Sequence, residues 1–96
     1  MTDAFQADWT EGILCLKGRF DASQSATAEQ ALAQAEGKTV IDFAELQYIS
    51  SAGLGVLLAA QKRLSQSEGG LKLVNMNDHI RELFELAGFD MVFEIG

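Results

Sequence analysis

Ser50 and Ser51 stand where a strand-like segment, Tyr48-Ile49, meets a strongly apolar helix-like one, Leu54 to Leu58, and Gly53 and Gly55 follow close behind. Small side chains there leave the turn open to approach. The first turn of a helix carries N–H groups without intrahelical partners and the positive end of the helix dipole. A serine at that place has two chemistries open to it. Its hydroxyl can accept from a backbone N–H and cap the helix. It can instead carry a phosphate, which the same N–H groups stabilise.

Other reactive patterns are incomplete. A nucleophile elbow needs glycine on both sides of its serine, and Ile49-Ser50-Ser51-Ala52-Gly53 supplies only the second. Gly53-Leu54-Gly55 runs on into Val56-Leu57-Leu58, completing neither a dinucleotide fingerprint nor a phosphate-binding loop. His79, the only histidine, opens a helix-like segment far in sequence from Cys15, so no metal cluster is expected. Cys15 itself is expected as a small core residue in mid-strand. Asp21 and Asp42 are candidates for an acid–base pair, or else for helix caps and solvated residues. No catalytic residue, cofactor or metal site is expected, and the chain is not expected to be an enzyme.

The chain has 96 residues, 48% hydrophobic and 22% charged, which predicts a single globular domain over residues 1–96. Neither proline nor a repeat nor a Gly/Ser-rich linker interrupts it. Its net charge is −7, and its basic residues are scattered, with only Lys62 and Arg63 adjacent. That pattern argues against nucleic acid, which needs clustered Lys and Arg. It favours solubility or a basic partner protein. One cysteine permits no intramolecular disulfide, and a reducing cytoplasm is expected. No run approaches the roughly 20 apolar residues of a membrane helix, so no direct membrane insertion is expected. The stretch from Met1 to Ala4 has neither the basic nor the apolar part of a signal peptide.

Periodicity places these residues on elements. Phe5, Ala7 and Trp9 alternate with Gln6 and Asp8 as in a half-buried strand, forming a hairpin with residues 13–17. Asp21 or Ser23 caps a helix over residues 24–36, with Ala28, Ala31, Leu32 and Ala35 inward. Residues 38–43 form a central strand. Residues 52–66 form a second helix, with Leu54, Leu57, Leu58 and Leu64 inward and Gly69-Gly70 ending it. A strand over 71–74 leads to a helix capped by Asn77 or Asp78, with Ile80, Leu83, Phe84 and Ala87 inward and Gly88 at its end. Residues 91–95 form the last strand. The order ββαβαβαβ predicts an α/β fold: a mixed, mostly parallel five-stranded sheet with three or four helices. Loops 18–21 and 44–51 then follow the carboxyl ends of their strands and share one rim, where sites in such sheets collect. Leu46, Tyr48, Ile49, Leu54 and Val56 are apolar candidates there, with Tyr48 expected to be the exposed one.

Three segments in order resemble the STAS domain family of sulphate-transporter domains and bacterial anti-sigma factor antagonists. They are residues 41–58 around Ile49-Ser50-Ser51-Ala52-Gly53-Leu54-Gly55, the segment Leu16-Lys17-Gly18-Arg19-Phe20-Asp21, and residues 71–89 from Leu71-Lys72-Leu73-Val74-Asn75 to Ala87-Gly88-Phe89. The resemblance covers essentially the whole chain and implies a partner switch. In free-standing members a serine kinase, often the anti-sigma factor itself, phosphorylates a serine at the start of the second helix, and a PP2C-type phosphatase reverses it. The unphosphorylated form binds the kinase. Ser51 matches the phosphorylated position. Ser50 stands where many members have aspartate, and Ala52 where many have serine or threonine. Asp21 matches a position near the partner's contact surface. The resemblance thus implies a partner-binding set of Asp21, Tyr48, Ser50, Ser51, Ala52, Gly53 and Leu54, in a cytoplasmic protein that is a monomer when free. It also admits an unphosphorylated subunit of an ABC-type transporter or sensory scaffold, in which both serines are only caps.

Overall fold

In the computed structural model, which describes residues 4–96, the chain opens on a hairpin. The reading of Met1, Thr2 and Asp3 lies outside the described residues. β1 (Gln6–Thr10) and β2 (Ile13–Phe20) pair antiparallel from Gln6↔Lys17 to Thr10↔Ile13. Glu11 and Gly12 turn the chain with φ of 53° and 84°, the left-handed pair whose twist matches the strands on either side.

The other strands are parallel. β3 (Lys38–Ile49), β4 (Gly70–Val74) and β5 (Glu94–Ile95) complete a sheet in the order β1-β2-β3-β4-β5. α1 (Ser25–Leu32), α2 (Ser51–Ser65) and α3 (Asp78–Leu86) form the crossovers. The fold is the expected mixed, mostly parallel α/β sheet, with three helices.

Alternation decides what each sheet face meets. Leu14, Leu16, Phe20, Ile41, Phe43, Ile49 and Leu73 point to one face and join the buried side chains of all three helices in one core. Ile13, Cys15, Lys17, Arg19, Val40, Asp42 and Lys72 point the other way and are half-buried or exposed. No described helix covers that second face. Cys15 is therefore a half-buried residue of an open sheet face rather than a core residue.

β3 is longer than expected. Residues 44–49 are strand, not loop, and β2 likewise runs on to Phe20. The pairing Cys15↔Asp42 gives way to Lys17↔Glu45, and Gly18↔Leu46 to Arg19↔Tyr48, so Ala44 and Gln47 are extra residues bulged out of β3. The bulges break the period of two, which makes the stretch resemble a loop in sequence. They also keep Leu46 and Ile49, three residues apart, both on the buried face.

The helices differ from expectation at their ends. A 3-10 turn (Ala22–Gln24) precedes α1, which stops at Leu32. There the Arg63 guanidinium of α2 donates to the Leu32 and Ala35 carbonyls at 2.8 and 3.3 Å, satisfying acceptors that continued helix would have used. In α2, Val56 and Ala60 are buried alongside Leu57 and Leu64, while Leu54 and Leu58 are only half-buried. The helix ends at Ser65, before the two glycines, and Glu68 rather than glycine takes the left-handed conformation, φ 63°. α3 stops at Leu86, leaving Ala87 exposed, and Gly88 takes φ 77° as expected of a glycine just past a helix end.

The last strand shrinks to two residues. Phe89–Met91 form a 3-10 turn instead, which brings Phe89 and Phe93 edge-on against Phe84 at centroid distances of 6.2 and 5.7 Å. Phe43 reaches the same ring from β3 at 6.1 Å. Aromatic burial and edge contact there outweigh further strand pairing.

Candidate functional site

β2 and β3 end side by side, and Ser50 joins them. Its N–H donates to the Phe20 carbonyl at 2.9 Å, so the chain leaves β3 anchored to the end of β2. Ser50 has the extended backbone of an N-cap (φ −89°, ψ 171°), and its Oγ accepts from the Gly53 N–H at 3.2 Å. Ser51 is the next residue, the first of α2, and is exposed. The two hydroxyls are thus unequal. Ser50 is half-buried and occupied as a cap, whereas Ser51 is exposed and its hydroxyl makes no hydrogen bond among the described residues. The first-turn N–H groups of Ser51 and Ala52 remain for water or an anion.

Gly53 lets the helix start lie this low. A Cβ on it would sit 2.9 Å from Ile49 Cγ1 and 3.2 Å from the Phe20 ring. Gly53 is consequently buried, beneath the surface that the contact set was expected to form, whereas Ala52 and Leu54 are half-buried beside it.

Asp21 follows Phe20 and lies at the same rim. Its Oδ1 accepts from the N–H and hydroxyl of Ser23 at 3.1 and 2.6 Å, which caps the 3-10 turn. Asp42 is engaged elsewhere: its Oδ1 accepts from the Ala44 N–H at 2.8 Å, closing the first bulge, and from Asn75 Nδ2 at 3.1 Å. The two aspartates form no acid–base pair, since each serves a separate turn. Tyr48, expected to be exposed, is half-buried beneath the Arg19 guanidinium, which stands 4.4 Å from its ring centroid. Leu46, Ile49 and Val56 are core residues. His79 is exposed near the start of α3. No metal-holding group of His, Cys, Asp and Glu exists among the described residues, and no described helix is long and apolar enough to cross a membrane.

Asn77 does more than its sequence position announced. Its Oδ1 caps α3 by accepting from the Ile80 N–H at 2.8 Å, while its Nδ2 donates to the Leu46 carbonyl at 3.2 Å, between the two bulges. It therefore braces the stretch of β3 that delivers Ser50. Sequence reading could find the cap but not the brace, because nothing local signals a contact 31 residues away. Asn77→Ala should cost about 2 kcal/mol in urea unfolding through loss of both bonds. Asn77→Asp, which keeps the cap and loses the donor, should recover about half of that.

A family model described as Mlab, STAS domain, matches residues 4–94. BtrV of Bordetella bronchiseptica, a candidate anti-sigma factor antagonist, is 39% identical over 87 residues, which are 86% of this chain and 75% of BtrV. The anti-sigma-B factor antagonist of Listeria monocytogenes is 40% identical over 55 residues, 57% of this chain but only 48% of that protein, so this match spans about half the relative's length. Among solved structures, the phosphorylated form of the Bacillus cell fate determinant SpoIIAA aligns with a TM-score of 0.62 at 23% identity, over 97% of this chain and 91% of its own. That last likeness is one of fold.

Proposed function

The chain belongs to the STAS domain family, and from that premise we propose that it is an anti-sigma factor antagonist, docking to a serine-kinase anti-sigma factor until phosphate is placed on Ser51. The observation that carries this is the division of labour between neighbouring hydroxyls: Ser50 caps the helix and Ser51 is presented. The names carried by the related proteins of Bordetella and Listeria support the same reading.

The chemistry is favourable for a switch. Phosphate on Ser51 adds about −1.5 to −2 charges and three acceptor oxygens. The free N–H groups of the first turn and the helix dipole offset that charge locally, by about 0.3–1 kcal/mol at an exposed site. The fold is thereby preserved, while a partner surface packed on Ser51 would have to desolvate the phosphate without a counter-charge. Modification then acts on docking. Asp21, Tyr48, Ala52 and Leu54 complete the contact surface with Ser51, nucleotide resides on the kinase, and a PP2C-type phosphatase restores the binding form. The chain works in the cytoplasm as a monomer between partners.

Incubation with its cognate kinase and ATP should add about 80 Da, the mass of one phosphoryl group, at Ser51. Ser51→Ala should abolish the modification and Ser50→Ala should retain it; phosphate on Ser51→Ala protein would mean that the site is elsewhere. Membership of the STAS domain family also admits a second reading, an unphosphorylated subunit of an ABC-type transporter or sensory scaffold in which both serines are only caps. Stable co-purification with an ATPase, with no phosphoserine, would select it.

A further inference from the structure

We infer that Arg19, stacked on Tyr48, is a specificity-determining residue that receives an acidic side chain of the docking partner; this rests on the partner-switching reading above. The open sheet face holds its cations in register, and their neighbours differ. Lys17 pairs with Glu45 at 3.9 Å and Lys72 with Glu94 at 3.8 Å, each a glutamate beside it on the adjoining strand. Lys38 pairs in register with Gly70, at the end of the sheet away from Ser51. Arg19 alone lies beside an aromatic ring, that of Tyr48, and no carboxylate lies within ion-pair distance of it among the described residues.

Its place ties it to the docking rim. Arg19 precedes Phe20, whose carbonyl accepts from Ser50, and Tyr48 precedes Ile49 and Ser50. The stacked pair therefore lies about 7 Å down the strands from Asp21 and Ser50, at 3.3 Å per residue. The guanidinium lies over the Tyr48 ring, its Cζ 4.4 Å from the centroid, and Arg19 is exposed, so its outer edge meets solvent. That edge is a planar fork matched to a carboxylate, already held in orientation, so little freedom is lost on pairing. With a net charge of −7, the domain as a whole favours a basic partner surface. One acid within that surface, opposite Arg19, fixes orientation and rejects partners that lack it. The pair lies on the sheet side of the rim and α2 on the other, so Arg19 contributes to the docked form independently of the hydroxyl that phosphate blocks.

The test is calorimetric titration of the serine-kinase anti-sigma factor that modifies the chain into wild-type protein, Arg19→Gln, Arg19→Lys, Tyr48→Leu and Ser51→Asp. Arg19→Gln should weaken binding about 10- to 100-fold, the range of a charge-assisted hydrogen bond, with a thermal midpoint lowered by only the few degrees that loss of the cation–π contact brings. Arg19→Lys should recover only part of that, because an ammonium lacks the fork, and Tyr48→Leu should weaken binding several-fold by freeing the guanidinium. Binding of Arg19→Gln within twofold of wild type, with Ser51→Asp still excluded, overturns the role of Arg19 and leaves the switch standing. Weakened Arg19→Gln with Ser51→Asp bound like wild type does the reverse.

Discussion

Ser51→Asp should leave the domain folded and lower its affinity for the serine-kinase anti-sigma factor by about 100-fold or more, since a charge then has to be desolvated at the contact. The two effects have opposite signs because one carboxylate meets two environments. In the free protein it sits on the first residue of α2, beside the N–H groups of Ser51 and Ala52, where a negative charge is favourable by about 0.3–1 kcal/mol. The thermal midpoint is therefore unchanged or slightly raised. In the proposed complex an acidic or apolar partner patch opposite Ser51 makes the same group lose its water without a counter-charge. Calorimetry on the complex and thermal unfolding of the free chain separate the two. Ser50→Asp is the companion measurement: aspartate is as good an N-cap as serine, and its charge turns into the helix start, so the loss of affinity should be much smaller. Equal affinity of Ser51→Asp and wild type would remove the switch.

Gly69→Ala should cost about 3 kcal/mol of stability, the upper part of the range for overpacking, because the obstruction is backbone. A Cβ at residue 69 would overlap the carbonyl of Gly37, just before β3 begins. The Gly37 carbonyl accepts from the Gly70 N–H at 3.1 Å, and the Gly69 N–H donates to Leu64 at 2.8 Å, so both chains are tied at the crossing. Relief requires breaking one of these bonds. For a domain whose total stability is about 5–15 kcal/mol, such a loss should lower the thermal midpoint by more than about 10 °C. Gly55→Ala supplies the contrast: nothing lies within 4 Å of its added Cβ, and the residue is helical and exposed, so alanine there should be neutral or stabilising by up to about 1 kcal/mol. Urea unfolding of the pair checks this, and a Gly69→Ala within 1 kcal/mol of wild type would mean that the crossing is loose.

Much of the fold is legible where one local rule decides the structure. Ser50 and Asn77 cap helices because Oγ and Oδ1 reach an N–H three residues on, and Gly88 ends a helix because it takes a left-handed backbone cheaply. The β1–β2 hairpin follows from plain alternation and a turn containing glycine. What escaped depends on contacts distant in sequence. Bulges at Ala44 and Gln47 disguise half of β3 as loop. Arg63 cuts α1 short from another helix. The Phe84 cluster draws Phe93 away from an extended strand. Gly69 resembles a helix stop, yet its requirement comes from Gly37. At the rim, the motif locates Ser51, but only the hydrogen bonds tell the occupied hydroxyl from the presented one. The stacking of Arg19 on Tyr48 requires knowing that two bulges bring those residues into register.

From Cys15 to Phe20 the second strand takes fewer steps than the third takes from Asp42 to Ile49, although both pairs lie in register. The surplus is absorbed by the two bulged residues. Counting is consequently as strict a requirement here as chemical identity. Deleting one residue between Asp42 and Ser50 would flip the alternation by half a period, turn Ile49 outward and swing the helix start away from the end of the neighbouring strand. Length changes are better accommodated at the exposed turn over residues 66–68, outside the sheet. A related chain with a gap in the former stretch could keep every serine and still aim them in the wrong direction.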